Sequence, residues 1–124
     1  MPSLNRIILV GHVAADPETI ESKSGKTKVI FPIATHRDYT SDGAKKEVTD
    51  YHRIVAWGKL GEICQRYLTK GQGVYVEGTL LNRAYEQDGE RKYLTEIRAD
   101  EVNMLTWKQK GGVDNLSVDA IKAD

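Results

Sequence analysis

Residues 49–60 read Thr-Asp-Tyr-His-Arg-Ile-Val-Ala-Trp-Gly-Lys-Leu, and their alternation commits them to a strand with two unlike faces. Side chains along a strand point to opposite sides in turn. Tyr51, Arg53, Val55 and Trp57 therefore share one face, with Lys59 just past its end, while His52, Ile54 and Ala56 share the other. The second set is a core face. The first places two flat rings beside cations, a surface suited to a planar, negatively charged ligand. Unpaired nucleic acid has both properties, a π-face on every base and a charge on every phosphate.

The flanking sequence supplies a small β-domain around this strand. Residues 7–13 are apolar and β-branched, a first strand in which Gly11 marks a bulge or bend. Asp16-Pro17 and residues 22–26 are turns. Residues 29–35 form a second strand, and Pro32 within it requires an edge or bulge. Asp38 to Val48 is polar and reads as a long loop. After the third strand the period changes. Leu60, Ile63, Cys64, Tyr67 and Leu68 fall at helical spacing, and Lys70-Gly71 ends the helix.

A fourth strand alternates Val74, Val76, Gly78 and Leu80 inward with Tyr75, Glu77, Thr79, Leu81, Arg83 and Tyr85 outward. Asp88-Gly89 is a hairpin signal leading into a fifth strand through Ile97 to Leu105. The expected fold is all-β: a five-stranded OB-type barrel, one α-helix between strands 3 and 4, and a long hairpin between strands 4 and 5. The domain is expected over residues 1–107, with 108–124 a short flexible C-terminal tail. Trp107, just past the last strand, reads as a packing lid.

Composition bounds the function. With 124 residues the chain is one domain, too short for a catalytic domain beside a binding one. Eighteen Lys and Arg balance 18 Asp and Glu, so any affinity for a polyanion must come from where the charges sit. Cys64 is the only cysteine, which excludes an intrachain disulfide and points to a reducing compartment. No apolar run approaches membrane-spanning length, and the first residues resemble neither a signal nor a transit peptide. The expected location is cytoplasmic and nucleoid-associated, a processed mitochondrial-matrix form being the alternative. His12, His36 and His52 do not have metal-ligand spacing. No catalytic residue, metal or cofactor is expected.

An ordered set of fragments carries a resemblance: Leu4-Asn5-Arg6 with Ile8 to Gly11, Asp16-Pro17-Glu18, Ile33-Ala34-Thr35, Thr49 to Arg53, Gly58-Lys59-Leu60, Tyr67-Leu68 with Lys70-Gly71, and Val74 to Gly78. The chain resembles the bacterial and mitochondrial single-stranded DNA-binding proteins over roughly residues 4 to 105. The resemblance implies an OB-fold core that assembles as a homotetramer and wraps single-stranded DNA. The family's base-stacking positions fall on Tyr39, Tyr51, Trp57 and Tyr85, where tyrosine is commoner than in other members. Arg6, Arg37, Arg53, Lys59, Lys70 and Arg83 lie on or beside the aromatic-bearing segments, with Lys45 and Lys46 in the long loop, as candidates for the phosphates. His52 falls where the family places a histidine near a subunit contact.

Each of these residues also has a plainer explanation. A strand tyrosine is commonly a packing residue, Tyr67 belongs to the helix stripe, Tyr75 is ambiguous, and Lys45-Lys46 alone is a solvated loop. Bacterial members commonly end in an acidic tip with a terminal phenylalanine that recruits replication and repair enzymes. Residues 119–124 hold two aspartates, one lysine and no aromatic, so recruitment by a tip of that kind is not expected. The function implied is sequence-independent binding and protection of single-stranded DNA during replication, recombination and repair. The alternatives are an OB module of primosome assembly or conjugation acting mainly through protein contacts, and an OB-fold nuclease, for which no acidic cluster speaks.

Overall fold

The computed structural model describes residues 1–106 and 117–122, with side chains described as far as residue 105. Trp107 lies outside the described residues. The elements run β1 (Ile7–Val13), β2 (Glu18–Glu21), β3 (Thr27–Ser41), β4 (Ala44–Trp57), α1 (Gly58–Tyr67), β5 (Gly73–Gln87), β6 (Glu90–Thr106) and β7 (Ser117–Lys122). The sheet order is β1-β5-β6-β4-β3, and β3 returns to β1 through His12–Ala34 and Val13–Ile33. Those five strands close the barrel. β4 meets β6 in parallel, at Ile54–Ile97 and Val55–Arg98; the other contacts are antiparallel.

The helix falls between β4 and β5 only because the short β2, which pairs with residues 27–30 of β3, is counted. Barrel order agrees with the expectation. Inside lie Val13, Val29, Phe31, Ile33, Ile54, Val74, Val76 and Val102, all buried. Leu60, Cys64 and Leu68 of the helix segment join this cluster, with Ile63 packed against it. Tyr67, assigned to the same stripe, is instead exposed. It is the last residue of the helix, where its ring lies under the Arg66 guanidinium at 5.8 Å. Burial pushes the Cys64 thiol up to about 12, so it stays neutral as a core group.

Pro32 meets its constraint. β3 pairs with β2 as far as Ile30 and with β1 from Ile33, so proline occupies the gap, and its carbonyl accepts the Ala14 N–H at 2.9 Å.

The loop expected over Asp38–Val48 is not a loop. β3 and β4 pair without interruption from Lys28–Trp57 to Ser41–Ala44. Asp42 and Gly43 make the turn at φ 51° and 74°, the positive values a type I′ hairpin needs. Asp88 and Gly89 do the same between β5 and β6, at φ 54° and 78°. Polar composition concealed the first hairpin because both of its faces meet water. Within the segment expected as a tail, Ser117–Lys122 runs antiparallel to residues 101–106 of β6. Backbone pairing of β6 with β4 is confined to Ile97 and Arg98, which leaves backbone groups further along that edge open to another strand.

β5 and β6 slip register between Glu77 and Gly78. A Cβ on Gly78 would stand 2.1 Å from the Arg98 carbonyl oxygen, a backbone atom that cannot turn away. Gly78→Ala is expected to lower unfolding free energy by about 1–3 kcal/mol, measured by denaturant titration at matched protein concentration; an unchanged midpoint would contradict this close packing.

Candidate nucleic-acid interface

Residues opposite one another in a sheet share a face, so register decides which candidates meet. On the outer side of β4, Tyr51 lies opposite Ala34, Arg53 opposite Pro32, Val55 opposite Ile30, and Trp57 opposite Lys28. Tyr51 is 69% exposed and Trp57 39%. Val55 is buried beside Ile30 and serves as a floor rather than a contact. The opposite face behaves as the alternation predicts, with Ile54 and Ala56 fully buried. His52 is half-buried there, its Nε2 2.8 Å from Thr35 Oγ1.

The parallel β4–β6 contact brings the second hairpin onto the same surface. Glu96, one residue before the Ile54–Ile97 pair, is the only charged residue buried among those described, at 8% exposure. Arg53 of β4 donates from Nε to its Oε2 at 3.2 Å, and Arg83 of β5 donates from Nε to its Oε1 at 3.1 Å. Arg83 and Tyr85 lie on one side of β5 by alternation, and Tyr85 is 39% exposed. Three of the four expected rings, Tyr51, Trp57 and Tyr85, and two expected cations, Arg53 and Arg83, thus occupy one outer surface spanning β4, β6 and β5. Residue order alone did not single out Glu96, whose signal was a lone acid in the alternating segment Leu94–Ile97.

A cleft of about 600 Å³ opens beside Trp57, lined also by Lys26, Thr27, Lys59 and Arg98. The Lys28 ammonium stands 5.5 Å from the Trp57 ring centroid, within cation–π range. Lys59 was expected here; Lys26, Lys28 and Arg98 were not. Among the described residues Lys26, Lys28 and Lys59 have no ion-pair partner, whereas Arg98 lies 3.8 Å from Asp100. A neutral chain thereby gathers uncompensated positive charge around one exposed indole.

The remaining candidates lie apart from these rings, most of them on other faces. Tyr39 lies opposite Lys46 and Arg37 opposite Val48, which puts Tyr39, Arg37 and Lys46 on the His52 side of the β3–β4 hairpin, away from Tyr51 and Trp57. Arg37 Nε binds Asp50 at 2.8 Å. Lys45 stands opposite Thr40 on the Tyr51 side of the hairpin but near its turn, 4.0 Å from Asp38. Arg6 pairs with Glu77 on the outer side of β1 and β5. Tyr75 also donates to Glu77, at 3.3 Å, and partial burial together with that carboxylate raises its hydroxyl pKa. Lys70 is fixed through its backbone N–H, which donates to Asp16 Oδ1 at 2.8 Å. Among the described residues no group of three His, Cys, Asp or Glu could hold a metal ion, and no helix is long and apolar enough to cross a membrane.

A closed barrel of this strand order, carrying rings and cations across one face, defines the class of OB-type oligonucleotide-binding proteins. The model of the single-strand binding protein family matches residues 4–105. Single-stranded DNA-binding protein 1 of Chlorobaculum tepidum is 46% identical over 112 residues, spanning 88% of this chain and 69% of that protein. Single-stranded DNA-binding protein 1 of Xylella fastidiosa is 38% identical over 133 residues, spanning 100% of this chain and 95% of that protein. The solved Plasmodium falciparum SSB complex with ssDNA superposes with a TM-score of 0.72 at 33% identity, covering 79% of this chain and 88% of that one. The chain belongs to the single-strand binding protein family.

The Arg37–Asp50 pair has a pH signature. Its hydrogen bond and charge hold the Asp50 carboxyl below the ordinary carboxylate range and raise Arg37. A lowered carboxyl contributes stability that is present above the unfolded-state pKa and is lost as pH falls through the folded one. Arg37→Ala is expected to return Asp50 upward to ordinary titration, followed by carboxyl NMR, and to leave the protein less sensitive to acid; an unmoved Asp50 titration would contradict the pairing.

Proposed function

We propose that this protein coats single-stranded DNA without sequence preference, as a non-catalytic binder that keeps strands apart and protected during replication, recombination and repair. The observation that carries this is the convergence of Tyr51, Trp57 and Tyr85 with Arg53 and Arg83 on one barrel surface. Exposed rings stack on any base, at about 1–3 kcal/mol each, and cations follow the phosphates. A duplex hides its bases from such a platform. The names of the relatives, each a single-stranded DNA-binding protein, support the same ligand.

Assembly as a homotetramer belongs to this proposal. β1 pairs with β5 along Ile7–His12 but with β3 only at His12 and Val13, so among the described residues its other edge is unpaired over residues 7–10. Ile8 and Val10 are about half exposed on its outer side. An open edge beside exposed apolar groups is a surface that a second copy can cover. His52 is proposed to contribute to assembly through its ordered contact with Thr35, and Tyr39 to act as an outlying fourth ring on the far side of its hairpin. Work beside the chromosome in the cytoplasm fits the bacterial relatives.

Titration with oligo-dT, followed by tryptophan fluorescence, tests the binding. Quenching by the single strand, with duplex of equal length far weaker, is expected. Trp57→Ala should weaken binding by about 1–3 kcal/mol on every sequence. Equal affinity for duplex, or an unaffected Trp57→Ala variant, would refute the assignment.

The Trp57 cleft gives a separate expectation. Replacing Lys26 and Lys59 together by alanine should lower the slope of log affinity against log salt by about 0.7 for each phosphate that is no longer neutralised, while ring stacking persists as residual quenching. An unchanged slope would place the strand elsewhere.

A further inference from the structure

We propose that Glu96 is a positioning residue of the binding surface, holding Arg53 and Arg83 in a geometry ready for phosphates. The inference rests on the single-stranded DNA reading above and assigns a role within it to an acid that, on charge alone, opposes a polyanion.

The arrangement is specific. Glu96 offers one carboxylate oxygen to each arginine, and each arginine answers with Nε, at 3.2 and 3.1 Å. A guanidinium has five N–H donors, of which Nε carries one. Binding through Nε therefore leaves the terminal amino groups of both arginines for another acceptor. The Glu96 side chain is 10% exposed, while those of Arg53 and Arg83 are 37% and 46% exposed. The carboxylate is the buried anchor and the guanidiniums are the accessible parts.

The tie crosses three strands, joining Arg53 on β4 and Arg83 on β5 through Glu96 on β6. Each arginine neighbours a ring by alternation, Arg53 beside Tyr51 and Arg83 beside Tyr85. Two guanidiniums sharing one carboxylate keep a net positive charge for phosphate. They are also spared the mutual repulsion that two such cations would feel without the carboxylate between them. Arginine side chains carry substantial rotamer entropy, and fixing them in the folded protein removes that ordering cost from the binding step.

Net charge and positioning predict opposite signs, which makes the role testable. The full chain and its Glu96→Gln and Glu96→Ala variants are titrated with oligo-dT at several salt concentrations, folding being verified by circular dichroism. Positioning predicts weaker binding despite one more positive charge: about tenfold for Glu96→Ala and less for Glu96→Gln, which keeps one acceptor. The salt slope should fall by about 0.7 for each arginine displaced. In an Arg53→Ala, Arg83→Ala background, Glu96→Gln should no longer weaken binding. If Glu96→Ala does not fold, the isosteric Glu96→Gln decides. Equal or tighter binding with a steeper slope would overturn the inference, as would an equally large weakening in the double-alanine background. Failure of the unaltered chain to bind oligo-dT would instead overturn the single-stranded DNA reading, and this role with it.

Discussion

The parallel contact between β4 and β6 is the joint on which the molecule turns. It is short, Ile54 beside Ile97 and Val55 beside Arg98, yet it does two things at once. On the inner side it brings two buried isoleucines into the core, completing the wall between the two hairpins. On the outer side it brings Arg53 to Glu96. Without that contact the β3–β4 and β5–β6 hairpins would be separate ribbons, each with its own rings and cations. With it, their outer faces form one surface.

Much of this was legible in residue order. Alternation at residues 51–57 and 74–78 separated core from surface, the buried Val55 excepted, and the change to helical spacing at Leu60 marked the helix correctly. Asp88-Gly89 announced its hairpin. The equivalent signal at Asp42-Gly43 was hidden in a polar stretch, and the consequence went beyond a missing turn. A two-residue turn there sets the register of the whole hairpin, including Lys28 opposite Trp57 and Tyr39 on the far face. Read as a loop, the segment gave no means of pairing Lys28 with the indole or of separating Tyr39 from the other three rings.

Glu96 and the Trp57 cleft were illegible for a different reason. Both depend on contacts between strands distant in sequence, and no local pattern encodes which arginine an isolated glutamate will meet. The zero net charge pointed away from a polyanion partner; the structure resolves this by pairing. Arg6 and Arg37 are each compensated by a nearby carboxylate and Arg53 and Arg83 share one, while Lys26, Lys28 and Lys59, around Trp57, have no ion-pair partner among the described residues. A local field needs no bulk charge.

The proposed binding surface is tested most directly by amide chemical-shift mapping on the isotope-labelled chain with an oligo-dT. The largest perturbations are expected to follow Tyr51, Arg53, Trp57, Arg83 and Tyr85, with Ile8 and Val10 little moved. Perturbations centred on β1 or on the Tyr39 side of the β3–β4 hairpin, with the β4–β6–β5 surface silent, would contradict it.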